Sequence, residues 1–225
     1  MKYKSIAIDG PAGAGKSTLA RKLAKEFGFL YLDTGAIYRT VALKAHRAGV
    51  DPASAGQVEP LLSVMDIRME YDDQGEQCMY LDGENVSKAI REHHISALAS
   101  KVSAIPAVRA FLLDFQRKQA RENNVIMDGR DIGTVVLPDA DVKIFLTASP
   151  EARAQRRTLE LQEKGQKADY EVILRDIIAR DEQDANRPIA PLKQAEDAVL
   201  VDTTSLDLEQ SLKALISAAK EGLSL

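Results

Sequence analysis

The sequence contains a single cysteine, Cys78, which excludes an intramolecular disulfide and a cysteine-rich metal site. At 225 residues the chain can bury a hydrophobic core without covalent cross-links. A lone thiol of this kind is typical of a reducing compartment, and we expect Cys78 to be an ordinary strand residue.

Long hydrophobic runs are also missing. The polar start, Met1-Lys2-Tyr3-Lys4, leads directly into a strand pattern, and no apolar signal region precedes that strand. No later run reaches the length of a membrane span. We therefore expect a cytoplasmic protein with no membrane partner.

Basic residues are not in excess. The chain has 30 lysines and arginines against 34 aspartates and glutamates, a net charge of −4. This balance disfavours broad nucleic-acid binding, which requires a basic face, although local arginine clusters can still bind an anionic substrate. The three histidines, His46, His93 and His94, have no carboxylate at a metal-binding spacing, so we assign them no ligand role. We expect a monomer.

Short apolar runs of the β type alternate with helical periodicity along most of the chain. Five strands are predicted, over residues 5–9, 29–32, 125–128, 142–146 and 199–202. Their alternation with helices predicts an α/β fold with a parallel sheet, and their apolar character is typical of strands covered on both faces. The first four strands lead to Asp9, Asp33, Asp128 and Thr147, and we expect the functional residues near these carboxyl ends.

Glycine and proline mark the ends of the predicted helices, which cover residues 17–27, 36–48, 95–103 and 107–122. Gly28 and Gly49 follow the first two helices, as residues in the left-handed conformation commonly do. Pro106 suits the first position of the fourth helix, and Ser149 is the expected N-cap of a further helix beginning at Pro150.

One segment breaks the alternation of strands and helices. Ile67, Met69 and Tyr71 alternate with polar residues, a turn sequence covers residues 72–75, and a second alternating run follows. This pattern predicts a small antiparallel sheet near residues 67–86. We interpret residues 1–225 as a single domain with an insertion at about 36–105, which contains this sheet, and a helical flap at about 150–190.

The clearest motif follows the first strand. It matches Gly-x4-Gly-Lys-Ser/Thr and opens a predicted helix, which is the context that a phosphate-binding loop requires. Its glycines let backbone N–H groups surround phosphate oxygens, Lys16 reaches the β- and γ-phosphates, and Ser17 is the expected Mg²⁺ ligand. The predicted ATP-binding residues of the loop are Gly10, Pro11, Ala12, Gly13, Ala14, Gly15, Lys16, Ser17 and Thr18.

Other nucleotide-binding patterns are missing. The loop lacks the Gly-x-Gly-x-x-Gly spacing of dinucleotide-binding oxidoreductases, and the chain has no Asn-Lys-x-Asp guanine-binding motif. We also find no extended apolar strand that ends in a plain Walker-B acid. Short arginine-rich segments are present instead, which favours a kinase that acts on a small anionic acceptor.

Three further motifs accompany the loop: Asp33-Thr34-Gly35-Ala36-x-Tyr38-Arg39, Asp128-Gly129-Arg130-Asp131-x-Gly133-Thr134, and Arg180-Asp181-x-x-Asp184-x-x-Arg187 with Pro191-Leu192. With these motifs the chain resembles the bacterial-type cytidylate kinases, a family of nucleoside monophosphate kinases. The resemblance covers essentially the whole chain. Many kinases share the loop, whereas the other three motifs at this spacing are specific to the family.

The resemblance implies transfer of the γ-phosphate of ATP to CMP and dCMP, with Mg²⁺ as the metal cofactor. It also implies a three-layer P-loop core with a five-stranded parallel sheet, an acceptor-binding insertion and a helical lid. Lys16, Arg130 and Arg187 are the implied catalytic residues. The implied CMP-binding residues are Thr34, Tyr38, Arg39, Ser100, Arg109, Arg130, Asp131, Arg180, Asp184 and Arg187.

The chemistry of cytosine agrees with these assignments. Its N4 amino group is a donor beside the acceptors N3 and O2, so a reading pocket needs an acceptor such as Asp131 next to donors such as Arg109 and Ser100. Each residue also has an ordinary structural alternative. Asp131 can cap a helix or pair with Arg130, Arg109 can be an exposed arginine, and Ser100 can simply pack.

The arginines divide into two groups. Arg39 and Arg130 suit the α-phosphate of the acceptor, because guanidinium groups bind phosphate oxygens in a bidentate manner. The resemblance assigns the second group, Arg153 and Arg157 on the lid helix with Arg156 beside them, to ATP. The alternative is a solvated helix in which these arginines pair with nearby glutamates such as Glu160 and Glu163.

Two other functions are compatible with the loop alone. A related kinase for uridylate, adenylate or shikimate would share the loop and differ in the acceptor pocket. A nucleotide-dependent switch would need a water-positioning residue and ordered switch segments, which the arginine-rich motifs do not suggest.

Overall fold

The computed structural model describes residues 3–224, with the side chain of His93 left out. The described residues form two compact units, one from residues 3–29 and 124–224 and the other from Leu30–Asn123. The eight strands are β1 Ser5–Asp9, β2 Leu30–Asp33, β3 Ile67–Tyr71, β4 Gln77–Leu81, β5 Glu84–Asn85, β6 Val125–Gly129, β7 Val142–Thr147 and β8 Val199–Asp202. The eight α-helices are α1 Lys16–Phe27, α2 Thr34–Arg47, α3 Ala55–Leu62, α4 His93–Val102, α5 Pro106–Glu122, α6 Pro150–Glu163, α7 Tyr170–Asn186 and α8 Leu208–Leu223.

The predicted five-stranded parallel sheet is confirmed, with the strand order β2-β6-β1-β7-β8. The pairings of β1 with β6 and β7, and of β7 with β8, are all parallel. Ile6, Ala7 and Ile8 on β1 are fully buried, as expected for a strand with both faces covered. All five predicted strands are present, and the largest difference is a shift of β2 by one residue toward the C-terminus.

Helix boundaries follow the residues that the sequence marks. At the end of α1, Gly28 adopts a φ of 65°, and the N–H of Phe29 donates to the carbonyl of Ala24. Helix α5 begins at Pro106, and the Ser149 side chain caps α6 by accepting from the N–H of Ala152. These caps confirm the predicted helix boundaries.

The small antiparallel sheet is also confirmed, with the order β3-β4-β5. Tyr71 faces Gln77 in the register of β3 and β4, and Gly75 closes the turn between them by donating to the carbonyl of Asp72 at 2.8 Å. Cys78 lies on β4, as predicted. This sheet belongs to the unit Leu30–Asn123.

Several elements have no counterpart in the prediction. Helix α3 contains Pro60, the segment Ile132–Val136 forms a short π-helix after β6, and α8 begins with a capping box between Asp207 and Gln210. Within residues 3–224, no single helix is long and apolar enough to cross a membrane. Among these residues, one pair of helices, His94–Val102 and Pro106–Glu122, has the required length and composition when taken together, but it is bent by 99°.

Candidate functional site

The phosphate loop connects β1 to α1 and brings its lysine back over its own backbone. The amine of Lys16 donates to the carbonyl of Pro11 at 2.8 Å, and the side chain is buried. Gly10 adopts a φ of 151°, and a Cβ atom there would lie 1.9 Å from the carbonyl oxygen of Leu146. Only glycine therefore fits the position where the loop leaves the sheet.

Burial changes the charge state of Lys16. Desolvation, aided by the positive charge of Arg130, lowers the pKa of the Lys16 amine to about 7, against the opposing effect of Asp128, Asp9 and Asp184. Near neutral pH the Lys16 amine is thus only partly protonated. The negative charge of a bound triphosphate would favour the protonated form.

Ser17 and Asp128 form the second part of the site. The Oγ of Ser17 donates to Oδ2 of Asp128 at 2.9 Å, and Asp128 is buried near the end of β6. The expectation that no apolar strand ends in a Walker-B acid is therefore wrong. The preceding β6 residues, Val125, Ile126 and Met127, are fully buried, and the acid follows them directly.

The oxygen atoms of Ser17 and Asp128 suit Mg²⁺, which prefers hard oxygen ligands and takes few of them from the protein. Among residues 3–224, no group of three histidine, cysteine, aspartate or glutamate side chains is arranged to hold a metal. A hydroxyl, one carboxylate and the phosphates of a nucleotide are the donor set that the described residues allow.

Two ion pairs connect the segment after β6 with the end of α7. Arg130 Nε donates to Oδ2 of Asp184 at 2.7 Å, and Arg187 Nη2 donates to Oδ1 of Asp131 at 3.2 Å. Asp131 and Asp184 are buried. The Asp131 side chain does not cap the π-helix that follows it, and it forms an ion pair with Arg187. Four predicted site residues are thus in one cluster.

Asp9 supports this cluster from the end of β1. Its carboxylate accepts the N–H groups of Ile132 and Gly133 at 2.8 and 2.7 Å. Burial raises the pKa of Asp9 to about 6, although both hydrogen bonds act in the opposite direction. The sequence prediction did not include Asp9 or Asp128 among the site residues. The signal for both is an acidic residue at the carboxyl end of a buried strand.

The three arginines of α6 have different environments. Arg153 is almost fully buried, donates to the carbonyl of Ala12 in the phosphate loop at 2.9 Å, and pairs with Asp181 on α7. Arg156 donates to backbone carbonyls, including that of Leu206 at 3.2 Å. Arg157 pairs with Glu160 at 2.7 Å in a partly exposed position.

The remaining residues of the fourth motif follow on α7 and after it. Arg180 is exposed on α7. Arg187 is the residue at which α7 ends, and its Nε donates to the carbonyl of Ala190.

The second unit contains the motif that begins at Asp33. Oδ1 of Asp33 caps α2 by accepting the N–H of Ala36 at 3.0 Å, while Oδ2 accepts from Nη2 of Arg39 at 2.7 Å. A Cβ atom at Gly35 would lie 2.9 Å from Nη1 of Arg39 and 3.0 Å from Oδ1 of Asp33. Glycine therefore leaves room for this ion pair, and Thr34 beside it is buried.

Tyr38 and Arg109 are also brought together in this unit. The guanidinium carbon of Arg109 lies 5.7 Å from the centre of the Tyr38 ring, and Nη1 donates to the carbonyl of Ser103 at 3.2 Å. Arg109 is buried, so the alternative of an ordinary exposed arginine is wrong. Ser100 is half-buried on α4, and its carbonyl accepts from the Ser103 hydroxyl.

Comparisons with known proteins identify relatives of the whole chain. The family model described as cytidylate kinase matches residues 6–221. A cytidylate kinase from Pelotomaculum thermopropionicum is 48% identical over 98% of this chain and 97% of its own length, and one from Carboxydothermus hydrogenoformans is 49% identical over 94% and 95%. Among solved structures, an uncharacterized protein from Eubacterium ventriosum is similar in fold, with a TM-score of 0.52, 13% identity and coverage of 95% and 96%.

Proposed function

Since the chain belongs to the cytidylate kinase family, we propose that it transfers the γ-phosphate of ATP to CMP and dCMP, giving ADP and the corresponding diphosphate. The observation that carries this proposal is the family match over residues 6–221, which includes all four motifs. The structure adds support, because Lys16 and Ser17 lie near Asp128 and Arg130, and these are types of residue that phosphoryl transfer uses.

The donor side uses the phosphate loop. Residues 10–18 form the loop whose available backbone N–H groups bind the triphosphate, and Lys16 contacts the β- and γ-phosphates. Ser17 and Asp128 would hold Mg²⁺ together with the phosphates, and the ion when bound neutralises charge on the phosphate oxygens. Arg153 and Arg157 complete the ATP contacts, and the bond from Arg153 to the carbonyl of Ala12 supports this role.

The acceptor-binding residues form groups according to the part of CMP that they contact. Asp131, Arg109 and Ser100 recognise the base, and Asp184 with Arg180 binds the ribose hydroxyls. The α-phosphate is bound by Arg39 and Arg130, and Thr34 and Tyr38 also contact CMP. Arg130 and Arg187 stabilise the charge that develops during transfer. No general base is needed because the attacking phosphate is already ionised.

The chain organisation that we propose follows from these roles. Residues 1–225 act as one P-loop kinase domain, in which about 36–105 binds the monophosphate and about 150–190 is the lid over ATP. A lid excludes water from the γ-phosphate before the acceptor is aligned. We also propose a cytoplasmic monomer with no nucleic-acid or membrane partner. ATP and CMP are soluble cytoplasmic nucleotides, and the net charge of −4 disfavours broad nucleic-acid binding.

A panel of four monophosphates tests the substrate. With ATP and Mg²⁺, the protein should phosphorylate CMP and dCMP at least ~100-fold more efficiently, in kcat/KM, than UMP or AMP, because the wrong base leaves buried polar groups unpaired. Lys16→Ala is the control for the donor site and should abolish all turnover. Equal rates with all four acceptors would contradict the assignment of the base, and activity of Lys16→Ala would contradict the assignment of the loop.

The same panel run with Asp131→Asn tests the base-reading residue. The amide replaces an obligatory acceptor by a group that also donates, so it can pair with O4 of uracil. We expect the preference for CMP over UMP to fall by about tenfold or more, equivalent to ~1.4 kcal/mol. An unchanged preference would place base recognition elsewhere.

A further inference from the structure

The small antiparallel sheet is attached to β2 through side chains. The hydroxyl of Tyr71 donates to the carbonyl of Tyr31 at 3.0 Å. The amide of Gln77 contacts Asp33 twice, because Oε1 accepts the Asp33 N–H at 2.7 Å and Nε2 donates to the Asp33 carbonyl at 3.3 Å. Residues 31 and 33 are two apart on a strand, so their backbone groups point to the same side.

This side of β2 is the edge of the main sheet, since β2 is the first strand in the sheet order. Edge strands present unpaired backbone groups, and proteins commonly cover them. Here the cover consists of two side chains from one end of the β3–β4 hairpin, where Tyr71 and Gln77 are register partners. The orientation of the Gln77 amide is further fixed by a contact of 3.2 Å between its Nε2 and the sulfur of Met79.

Asp33 is the residue through which this contact reaches the candidate site. Its carboxylate both caps α2 and pairs with Arg39 at 2.7 Å. Nε of Arg39 is buried and has no hydrogen-bond partner in the part of the chain that the structure describes. A buried donor of this kind is costly unless a ligand accepts from it, and a phosphate oxygen is a suitable acceptor.

We propose that Gln77 is a positioning residue for the acceptor phosphate. By holding both backbone groups of Asp33, the hairpin fixes the direction of the Asp33 carboxylate and hence the position of the Arg39 guanidinium. The antiparallel insertion thus supports acceptor binding through Asp33 and Arg39. This inference rests on the proposed function, in which Arg39 binds the α-phosphate of CMP.

Gln77→Met tests the proposal, because methionine keeps the length of the side chain and removes both hydrogen bonds to Asp33. We expect the KM for CMP to rise by about tenfold, as for the loss of one to two hydrogen bonds, while kcat and the KM for ATP change less than about twofold. The matched control is Gln74→Met, which makes the same replacement at an exposed position of the adjacent turn. It should leave all three constants unchanged.

A double-mutant cycle separates positioning from a general loss of structure. If Gln77 acts through Arg39, then Gln77→Met should add almost nothing to the effect of Arg39→Met on the KM for CMP. Effects that multiply, a KM for CMP equal to that of the unmodified protein, or equal increases in both KM values would each overturn the proposal.

Two further arms complete the experiment. If Gln77→Met does not fold, as judged by circular dichroism, Gln77→Glu replaces it, since glutamate still accepts from the Asp33 N–H but cannot donate to the carbonyl. It should also raise the KM for CMP selectively, and an unchanged KM would overturn the proposal. The unmodified protein is assayed first on the monophosphate panel, so a failure of the proposed function is recognised before any variant is compared.

Discussion

Asp9 and Lys16 flank the phosphate loop, Asp9 at the end of β1 and Lys16 at the start of α1. Burial moves the pKa of each toward neutrality. The pKa of Lys16 falls to about 7, and that of Asp9 rises to about 6. Desolvation is the largest cause for both groups. At pH 7 the Asp9 carboxyl is therefore mostly ionised, whereas the Lys16 amine is only partly protonated.

This charge state predicts that ATP binding is linked to proton uptake. A triphosphate favours protonated Lys16, so the pKa of the amine rises on binding and ATP affinity falls as the pH increases above about 7. At pH 8 the Lys16 amine of the protein without ATP is mostly neutral. Because bound ATP keeps this amine protonated, binding should take up about 0.9 proton. Isothermal titration calorimetry in buffers of different ionisation enthalpy measures this number.

Lys16→Met is the control for the proton-uptake experiment, measured at ATP concentrations high enough to reach saturation. The variant should bind ATP with no uptake at pH 8, because the titrating group is gone. Uptake of the same size in both proteins would mean that another group takes up the proton.

What the sequence can indicate about a single residue depends on how far along the chain its contacts reach. Lys16 and Ser17 belong to a motif whose members are adjacent in sequence, so their roles were predicted. Gln77 and Asp9 act through partners 44 and more than 120 residues away. Periodicity and spacing do not reveal such partners, although Asp9 at a strand end gave a partial signal.

An ion pair between Arg153 and Asp181 connects α6 with α7, and it is much more buried than the pair between Arg157 and Glu160 on α6. Arg153 is 2% exposed at its side chain and binds Asp181 with two nitrogens, whereas Arg157 and Glu160 are 42% and 45% exposed. Buried pairs are costly to break because the remaining charge is left without a partner, whereas exposed pairs contribute little. The two pairs thus form a matched comparison within one helix.

Asp181→Ala should therefore lower the free energy of unfolding by ~2–3 kcal/mol, somewhat less than for a fully buried pair because the aspartate keeps some exposure. Glu160→Ala, which removes the exposed pairs of Glu160 with Arg157 and Lys164 near the end of α6, should change it by less than ~1 kcal/mol. Urea denaturation followed by circular dichroism gives both values. Equal effects of the two substitutions would show that burial does not distinguish these pairs.

The helices and strands were predicted with uneven success, and local signals explain the difference. Apolar runs and cap residues predicted all five strands of the main sheet and the helices α1, α2, α4 and α5 within about two residues, and they predicted the start of α6 at Pro150. Helix α3 was missed because Pro60 disfavours a helix interior. Helix α8 was missed although Asp207 and Gln210 form a capping box, a pattern that the sequence displays.

At the scale of the whole molecule, the parallel direction of the strands followed from general rules, but their order in the sheet did not. Alternating strands and helices predict a parallel sheet, yet nothing in the sequence places β6 between β2 and β1. The π-helix at Ile132–Val136 was also unpredictable, because its start depends on the hydrogen bonds that Asp9 accepts from Ile132 and Gly133. Long-range contacts fix both features.

Binding of ATP should raise the free energy of unfolding of the whole chain. A ligand that binds only the folded state at 100 times its dissociation constant contributes about 2.7 kcal/mol. For a chain of this size, that gain raises the melting temperature by roughly 5–10 °C. Differential scanning fluorimetry with ATP and Mg²⁺ measures the shift. Lys16→Ala should lose most of this temperature shift at the same ATP concentration. Gln77→Met should keep the shift, because its donor site is intact. A full shift in Lys16→Ala would mean that ATP binds outside the phosphate loop.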